Sequence, residues 1–397
     1  MNARFITFKA KQGDCIFLIL RDENLSCHIM VDCGSYSDEI KEFVEKDLQK
    51  RIDVLVATHI DNDHIDGLVE MLQQTPDLTI GKVIYNCNQL WKGKPLVPTP
   101  EDIKNDIQML ENNLPSKQSA NWGKIKADKA TTFAEILAKN TSWWKAWKKD
   151  EYITINTKPI PLGNNFGQLV VLSPTVEDIT KLDLEFKIEY NRLTKHIIDH
   201  SEYINGQETL FELVERVAAM KRVNYQMTIP VKTSAANFPW SIEQIKKAYE
   251  YEPICVSDEN TASIALMWEG GDKKILLMGD AEPDEVAAQI EKLYQGTQVN
   301  VEAIKVSHHG SKHSTNFRLM KIVDSDNYFF TGGNNSNKPS LEAFMKIVNR
   351  QDKRQRTLHF HNFDNIIVKA MSSNQGCSLQ KQYHFKMSGK NELRFEY

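Results

Sequence analysis

Residues 53–74 read DVLVATHIDNDHIDGLVEMLQQ, and three kinds of local order meet in them. Asp53–Thr58 is a short apolar run of the length of one buried β-strand. Asp66–Gln74 carries apolar residues at helical spacing. Between them, His59-Ile60-Asp61-Asn62-Asp63-His64 places four imidazole or carboxylate side chains within six residues. These are the groups that hold first-row divalent metals. In an extended loop alternate positions point the same way, so His59, Asp61 and Asp63 can converge while His64 faces a neighbouring site. A merely polar loop after a strand would not need this selection of side chains.

The same order of strand, polar cluster and helix recurs along the chain. Lys274–Met278 is an apolar run ending in Gly279-Asp280, and Ala281–Leu293 follows as an amphipathic helix with Pro283 in its first turn. Val301–Ser307 is another run, ending in His308-His309-Gly310. Near the start, Phe5–Leu20 forms two runs broken by the turn signal Gln12-Gly13-Asp14. His28–Asp32 is a short strand before Cys33-Gly34, and Ser37–Lys50 is a charged helix. Polar clusters at the carboxyl ends of several strands are expected to share one edge, where α/β sheets form ligand sites.

The 397 residues suffice for one large domain, and 41% hydrophobic with 26% charged residues is ordinary globular composition. A net charge of -4 excludes a surface coated in basic charge, though not a local basic groove. Six scattered cysteines without a CxxC pair argue against a disulfide scaffold. No apolar leader and no run near the ~18–20 residues of a membrane helix are visible, so a cytoplasmic protein is expected. Two stretches read as mainly helical insertions in a single domain spanning 1–397. Residues 91–160 hold helices over Glu101–Leu114 and Thr132–Lys149, and residues 176–257 have little strand character before Met227. The chain ends as two strands, Gln382–Met387 and Glu392–Tyr397, around a Ser388–Asn391 turn, which reads as a hairpin.

HIDNDH resembles the HxHxDH signature of the metallo-β-lactamase superfamily, with Asp61 in place of the second histidine. That variant is similar to the hydrolase domain of ComEC-type competence proteins. Further segments resemble that family in order: Gln12-Gly13-Asp14, Val31-Asp32-Cys33-Gly34, Leu172-Ser173-Pro174, Asn260–Leu266, Leu277-Met278-Gly279-Asp280, Lys305–Ser311 and Gly333-Asn334-Asn335. The resemblance implies an α/β fold, an αββα sandwich, with two divalent ions, zinc or manganese, at one edge. One ion would take His59, Asp61 and a bridging Asp280. The other would take Asp63, His64, Asp280 and a histidine of the HHGS motif, His308 by preference and His309 as substitute. Asp63, Asp280 and His309 are the expected catalytic residues. Asp32 would either fix the tautomer of a ligating histidine or cap the turn before Gly34. A further histidine of the family has Ser173 near its place, which leaves the first ion with fewer ligands.

Function is expected to be metal-dependent hydrolysis, with a phosphodiester of DNA or RNA attacked by a metal-bridging hydroxide. The same metals would serve a hydrolase of small esters, lactones or nucleotides. A non-catalytic, metal-stabilised module that docks proteins through its insertions, or pairs with itself, is the third reading. No membrane partner is expected. Among other candidates, His313 could meet substrate or lie in a solvated loop. His196 and His200 stand four apart on a helical stretch, a ligand spacing or simply two surface residues. His359 and His361 line the site mouth or face solvent. Trp143, Trp144 and Trp147 beside Lys145, Lys148 and Lys149 either stack bases or form core with a solvated face.

Overall fold

The structure, a computed structural model, describes residues 1–11, 13–86, 133–134, 136–147, 152–182, 239–253, 258–332, 338–350, 352 and 354–397. Two sheets dominate it. The first runs in the order β16-β1-β2-β3-β4-β5, from Glu392–Glu396 (β16), Asn2–Thr7 (β1), Cys15–Asp22 (β2), Leu25–Cys33 (β3), Arg51–Val56 (β4) and Thr79–Ile84 (β5). The second runs β15-β14-β13-β11-β9-β8-β7-β6. Its strands are Phe385–Ser388 (β15), Arg356–Phe360 (β14), Asn327–Phe330 (β13), Ala303–Lys305 (β11), Lys273–Leu277 (β9), Ala265–Gly270 (β8), Gln168–Ser173 (β7) and Ile160–Pro161 (β6), and Val299–Val301 (β10) pairs in parallel with Val323–Ser325 (β12) beside it. Each sheet is antiparallel in one half and parallel in the other: β3-β4-β5 in the first, β9-β11-β13-β14-β15 in the second.

Apolar runs without alternation are explained by burial on both faces. In β2, Ile16, Leu18 and Leu20 join a core shared with Leu266, Trp268, Ile275 and Leu277 of the second sheet, so the sheets pack face to face. Phe17 and Ile19 point the other way, towards Ile40 and Val44 and towards Leu68 and Leu72 of the helix Asn62–Gln74. On the far side, Met267 and Leu276 face Val286 and Ile290 of the helix Pro283–Leu293, with Phe344 and Ile347 of the helix Leu341–Val348. Helix, sheet, sheet, helix is the resulting order of layers: an αββα sandwich of mixed α/β class.

The chain end departs from the sequence reading. β15 and β16 are strands but not a hairpin. β15 pairs in parallel with β14 at the edge of the second sheet, and β16 pairs antiparallel with β1 at the edge of the first. Each sheet edge offers unpaired backbone groups, and these outcompete local pairing. The link crosses the open side of the sandwich and is held by the Thr7 amide on the Asn391 carbonyl (2.8 Å) and by Arg4–Glu392 (2.6 Å).

Of the insertions, the helix Glu101–Leu114 and the residues His196 and His200 lie outside the described residues. Over Thr132–Lys149, the helix Thr141–Ala146 presses Trp143 into the first outer core. The indoles of Trp143 and Trp147 donate to the carbonyls of Leu78 (2.8 Å) and Tyr85 (3.1 Å), so these rings belong to the core. Within 176–257, residues 176–182 are helical and the helix Ile242–Glu250 buries Ile245 and Ala248 in the second outer core. Among the described residues no helix is long and apolar enough to cross a membrane.

A buried ion pair anchors the second sheet. Asp324, on the strand Val323–Ser325, takes two hydrogen bonds from Arg356 of β14 (3.1 and 2.6 Å) and one from Tyr328 of β13 (2.8 Å). Removing one partner of such a pair costs about 3–5 kcal/mol. Arg356→Leu is therefore expected to lower unfolding stability by roughly that amount in urea titrations with chelator present. A loss under about 1 kcal/mol would assign the anchoring to packing instead. Burial alone would raise the Asp324 carboxyl, but Arg356 and Arg350 hold it below the ordinary value. A depressed folded-state value makes the contribution complete above the unfolded value of about 3.9 and lost as pH falls through the folded one.

Candidate metal centre

β4 ends at Val56, and the chain leaves the sheet edge directly into His59. Asp61 then occupies the N-cap position of the helix Asn62–Gln74 but makes no capping hydrogen bond. An aspartate there ordinarily caps; here its Oδ2 instead lies 4.0 Å from His59 Nε2. Asp63 stands in the first helical turn, where the helix dipole favours a carboxylate. Asp280 follows β9 through Gly279, and His308-His309 follow β11, so the polar clusters do meet at one edge.

Asp280 divides the cluster into two groups. Its Oδ2 faces His59 Nε2 at 3.9 Å and His308 Nε2 at 3.6 Å. Its Oδ1 faces His64 Nε2 at 3.4 Å, and His309 Nε2 lies 3.4 Å from Asp63 Oδ2. Donor atoms of His59, His64 and Asp280 lie within 4.8 Å of one another, as do those of Asp63, His64 and His309. His64 thus belongs with both sets, while Asp61 and His308 stand at the edge of the first, 4.0 Å from His59 and 3.6 Å from Asp280, where they could complete two seats that share Asp280. The chemistry fits: the Nε2 atoms of His59, His64 and His309 are buried without a hydrogen-bond partner.

Of the two histidines of the HHGS motif, the structure brings the substitute, His309, and not the preferred His308, to the second group. His309 stands with Asp63 and His64, and His308 stands on the His59 side. The reason is the turn. Both residues are left-handed, with φ of 49° and 55°. This reversal sends His309 inward, where it is buried, and leaves His308 at the mouth with 24% of its side chain exposed. The first group is therefore not short of nitrogen. Ser173 is not near-ligating in its contacts: its hydroxyl donates to the Ser263 carbonyl (2.7 Å) and accepts from the Ala265 amide (3.1 Å), tying β7 to β8.

Behind the Nε2 atoms, the contacts of the two groups differ. Asp32 accepts from His64 Nδ1 at 2.7 Å and from the Thr58 amide and hydroxyl at 2.7 and 2.6 Å. It thereby leaves His64 Nε2 with its lone pair towards the cluster. His309 Nδ1 is paired in charge with Asp14 Oδ1 at 3.1 Å and lies 3.5 Å from the Thr331 hydroxyl. His59 Nδ1 instead meets neutral hydroxyls, Thr58 at 3.0 Å and Ser263 at 3.4 Å, and His308 Nδ1 meets the Asn260 amide at 3.3 Å. Burial opposes the imidazolium of His64, but Asp280 and Asp32 hold it well above its ordinary value; Asp14 and Asp280 likewise raise His309 against burial. Burial pushes His59 down and His308 down to about 4, which favours the neutral imidazole that could hold a metal.

Asp14 and Lys305 are the residues whose roles the sequence left unassigned. The Lys305 ammonium, wholly buried, is paired with Asp14, donates to the Gly279 carbonyl (2.6 Å) and lies 3.5 Å from Asp280 Oδ1. A lysine inside the apolar run Val301–Ser307 was the available signal, since lysine is rarely buried unpaired. Gly13 and Gly34 explain the turn motifs around them: a Cβ would lie 1.5 Å and 2.3 Å from the Asp63 carbonyl oxygen. The metal loop rests on bare backbone at both points. Of the other candidates, His359 stacks on Phe329 (4.2 Å between centroids) and bonds the Lys390 carbonyl (2.9 Å), a structural role. His361 bonds the Thr7 hydroxyl (2.7 Å), and His313 lies 3.4 Å from the Tyr251 hydroxyl.

These contacts predict unequal sites. Asp32→Asn should weaken the ion held by His64 and His309 by about 10- to 100-fold. Thr58→Val should act more weakly on the ion beside His59, the neutral hydroxyl contributing less to ligand basicity. Ion content by atomic absorption after dialysis at graded free metal checks this, and equal losses would contradict it. Gly13→Ala should displace the Asp63 backbone and lower ion content while far-ultraviolet circular dichroism stays unchanged.

Residues 11–109 match the family model described as Metallo-beta-lactamase superfamily. No curated protein matches the sequence. Among solved structures, the diiron β-hydroxylase CmlA from Streptomyces venezuelae is 9% identical, with a TM-score of 0.40 over 99% of this chain and 54% of that one. The chain thus spans about half the length of that protein. The metallo-beta-lactamase fold protein YhfI from Bacillus subtilis is 9% identical over 99% of both chains, with a TM-score of 0.35. Zn(2+)-bound PqqB from Methylobacterium extorquens is 10% identical over 100% of both, with a TM-score of 0.36. Sandwich fold, histidine–aspartate cluster and the match over residues 11–109 agree on the metallo-beta-lactamase superfamily as what this chain is similar to.

Proposed function

We propose that the chain is a metal-dependent hydrolase that cleaves phosphodiester bonds, with DNA or RNA as the substrate class. The observation that carries the reading is Asp280, whose two oxygens face separate histidine–aspartate groups. Two divalent ions, when bound there, would supply an activated water and neutralise charge on the attacking and leaving oxygens. This paired arrangement suits in-line displacement at phosphorus.

The chain's own residues supply orientation and proton handling. Asp32 and Asp14 hold the rings of His64 and His309 from behind, and the Ser263 hydroxyl accepts from the Asp280 amide at 3.0 Å, fixing that residue's backbone. Asp63, with 29% of its side chain exposed, is the carboxylate at the open side of the second group and is placed to take the water's proton. His309 positions Asp63 from its buried side.

The test uses full-length protein stripped with chelator and reloaded with Zn²⁺ or Mn²⁺ alone. Labelled DNA, RNA and bis(p-nitrophenyl) phosphate are the substrates. Asp280→Ala should lose at least about 100-fold in rate, in the range of removing a transition-state contact. Ser173→Ala, which loses a hydrogen bond between strands, should keep activity and lose only about 1 kcal/mol of stability. Cleavage of none of these substrates above the Asp280→Ala background, with turnover of a small ester or lactone, would move the substrate class to carboxylic esters.

A further inference from the structure

Two lysines lie in the field of the same carboxylates, and they are used differently. Lys305 is spent inside the fold on Asp14 and the Gly279 carbonyl. Burial draws the Lys338 ammonium below its ordinary value, while Asp280, Asp63 and Asp14 oppose that fall, and Lys338 in turn lowers His308. Its ammonium nevertheless has no hydrogen bond or ion pair with any described residue. A cation kept beside a site without an internal partner is costly to hold, and functional sites are where such arrangements occur.

Its position is built. The Lys338 carbonyl accepts from the Asn365 side-chain amide at 2.9 Å. Two residues on, the Ser340 amide donates to the Gly310 carbonyl at 2.8 Å. Between these bonds, Pro339 packs on Gly310 so closely that a Cβ at 310 would lie 2.8 Å from the proline Cβ. Gly310 also has φ +81°, which favours glycine. The segment is thus fastened to the His308-His309-Gly310 turn itself.

Once divalent ions answer the aspartates, the charge of Lys338 is left over beside the cluster. A neutral ester can offer it only an uncharged carbonyl oxygen. A phosphodiester carries one negative charge on its non-bridging oxygens, and lysine binds such a group as a point charge. Resting on the phosphodiesterase reading for the identity of the site, we propose that Lys338 binds a non-bridging phosphoryl oxygen of the substrate and so selects anionic phosphoryl compounds over neutral esters.

The experiment compares metal-loaded wild type, Lys338→Gln and Lys338→Arg. Inorganic phosphate binding is measured by calorimetry, KM and kcat on bis(p-nitrophenyl) phosphate, and bound metal per chain by atomic absorption. Lys338→Gln should weaken phosphate and raise KM at least about tenfold, the size of one charge-assisted contact. Metal content should stay at the wild-type level, and Lys338→Arg should restore most of the binding. Phosphate affinity and KM within twofold of wild type would overturn the proposal. So would loss of metal from Lys338→Gln, which would make the lysine part of the scaffold. If wild type cleaves no phosphodiester yet binds phosphate through Lys338, the proposed reaction fails and this contact stands. If it cleaves the diester and Lys338→Gln is indifferent, the reverse holds.

Discussion

Burying carboxylates without compensation is among the costliest things a fold can do, and this chain gathers five at one sheet edge. Asp14 and Asp32 are wholly buried and Asp280 is 2% exposed, with Asp61 and Asp63 beside them. Lys305 answers one charge from within. The remainder requires protons held on His64 and His309 or cations from outside the chain. Divalent ions would satisfy both the charge and the unpaired Nε2 atoms, so the feature that is costly in a bare fold is also what suits it to hold metal.

The sandwich meets this constraint with backbone geometry. Strand ends β4, β9 and β11 project their clusters past the sheets, and the two sheets are tied there by the Ile264 amide on the Thr58 carbonyl at 2.9 Å. The helix Asn62–Gln74 can start immediately after His59 only because Gly13 and Gly34 let the Asp63 backbone approach. The Asp14 amide then donates to the Asp63 carbonyl (3.1 Å) while the Asp14 side chain reaches His309. One glycine-aspartate turn therefore positions two otherwise unrelated parts of the cluster. Packing supports the arrangement from outside, through the two helix layers.

Much of this was legible in the sequence because it is local. The His59–His64 cluster, Gly279-Asp280 and the histidine pair announce themselves by residue type and by following apolar runs. Asp32 was legible as one of two readings, and the geometry gives the contact to His64. What could not be read is non-local or conformational. The pairing of Lys305 with Asp14 joins residues nearly 300 apart. That His309 rather than His308 faces Asp63 depends on two consecutive left-handed residues, a conformation that non-glycine sequence does not advertise. The terminal strands were visible as strands, but their partners, β14 and β1, are fixed by which sheet edges remain open.

The two groups match in count and differ in support. On a sequence count the first would offer one nitrogen, His59, and so favour a hard, oxygen-seeking ion such as Mn²⁺. His308 beside Asp280 Oδ2 raises that count to two, equal to the second group. Hardness therefore does not separate them, and their backing does. His64 and His309 are backed by carboxylates, which raises ligand basicity. His59 and His308 are backed by hydroxyls and an amide, which orient the rings without adding charge. With ions bound, the second group would be the firmer seat and the first the more exchangeable one. Lys338 acts on His308 of the exchangeable group as well as on Asp63 and Asp280. On the proposed reading, substrate charge and occupancy of the first seat would be coupled: an anion on Lys338 would relieve the repulsion that the lysine imposes on an incoming cation.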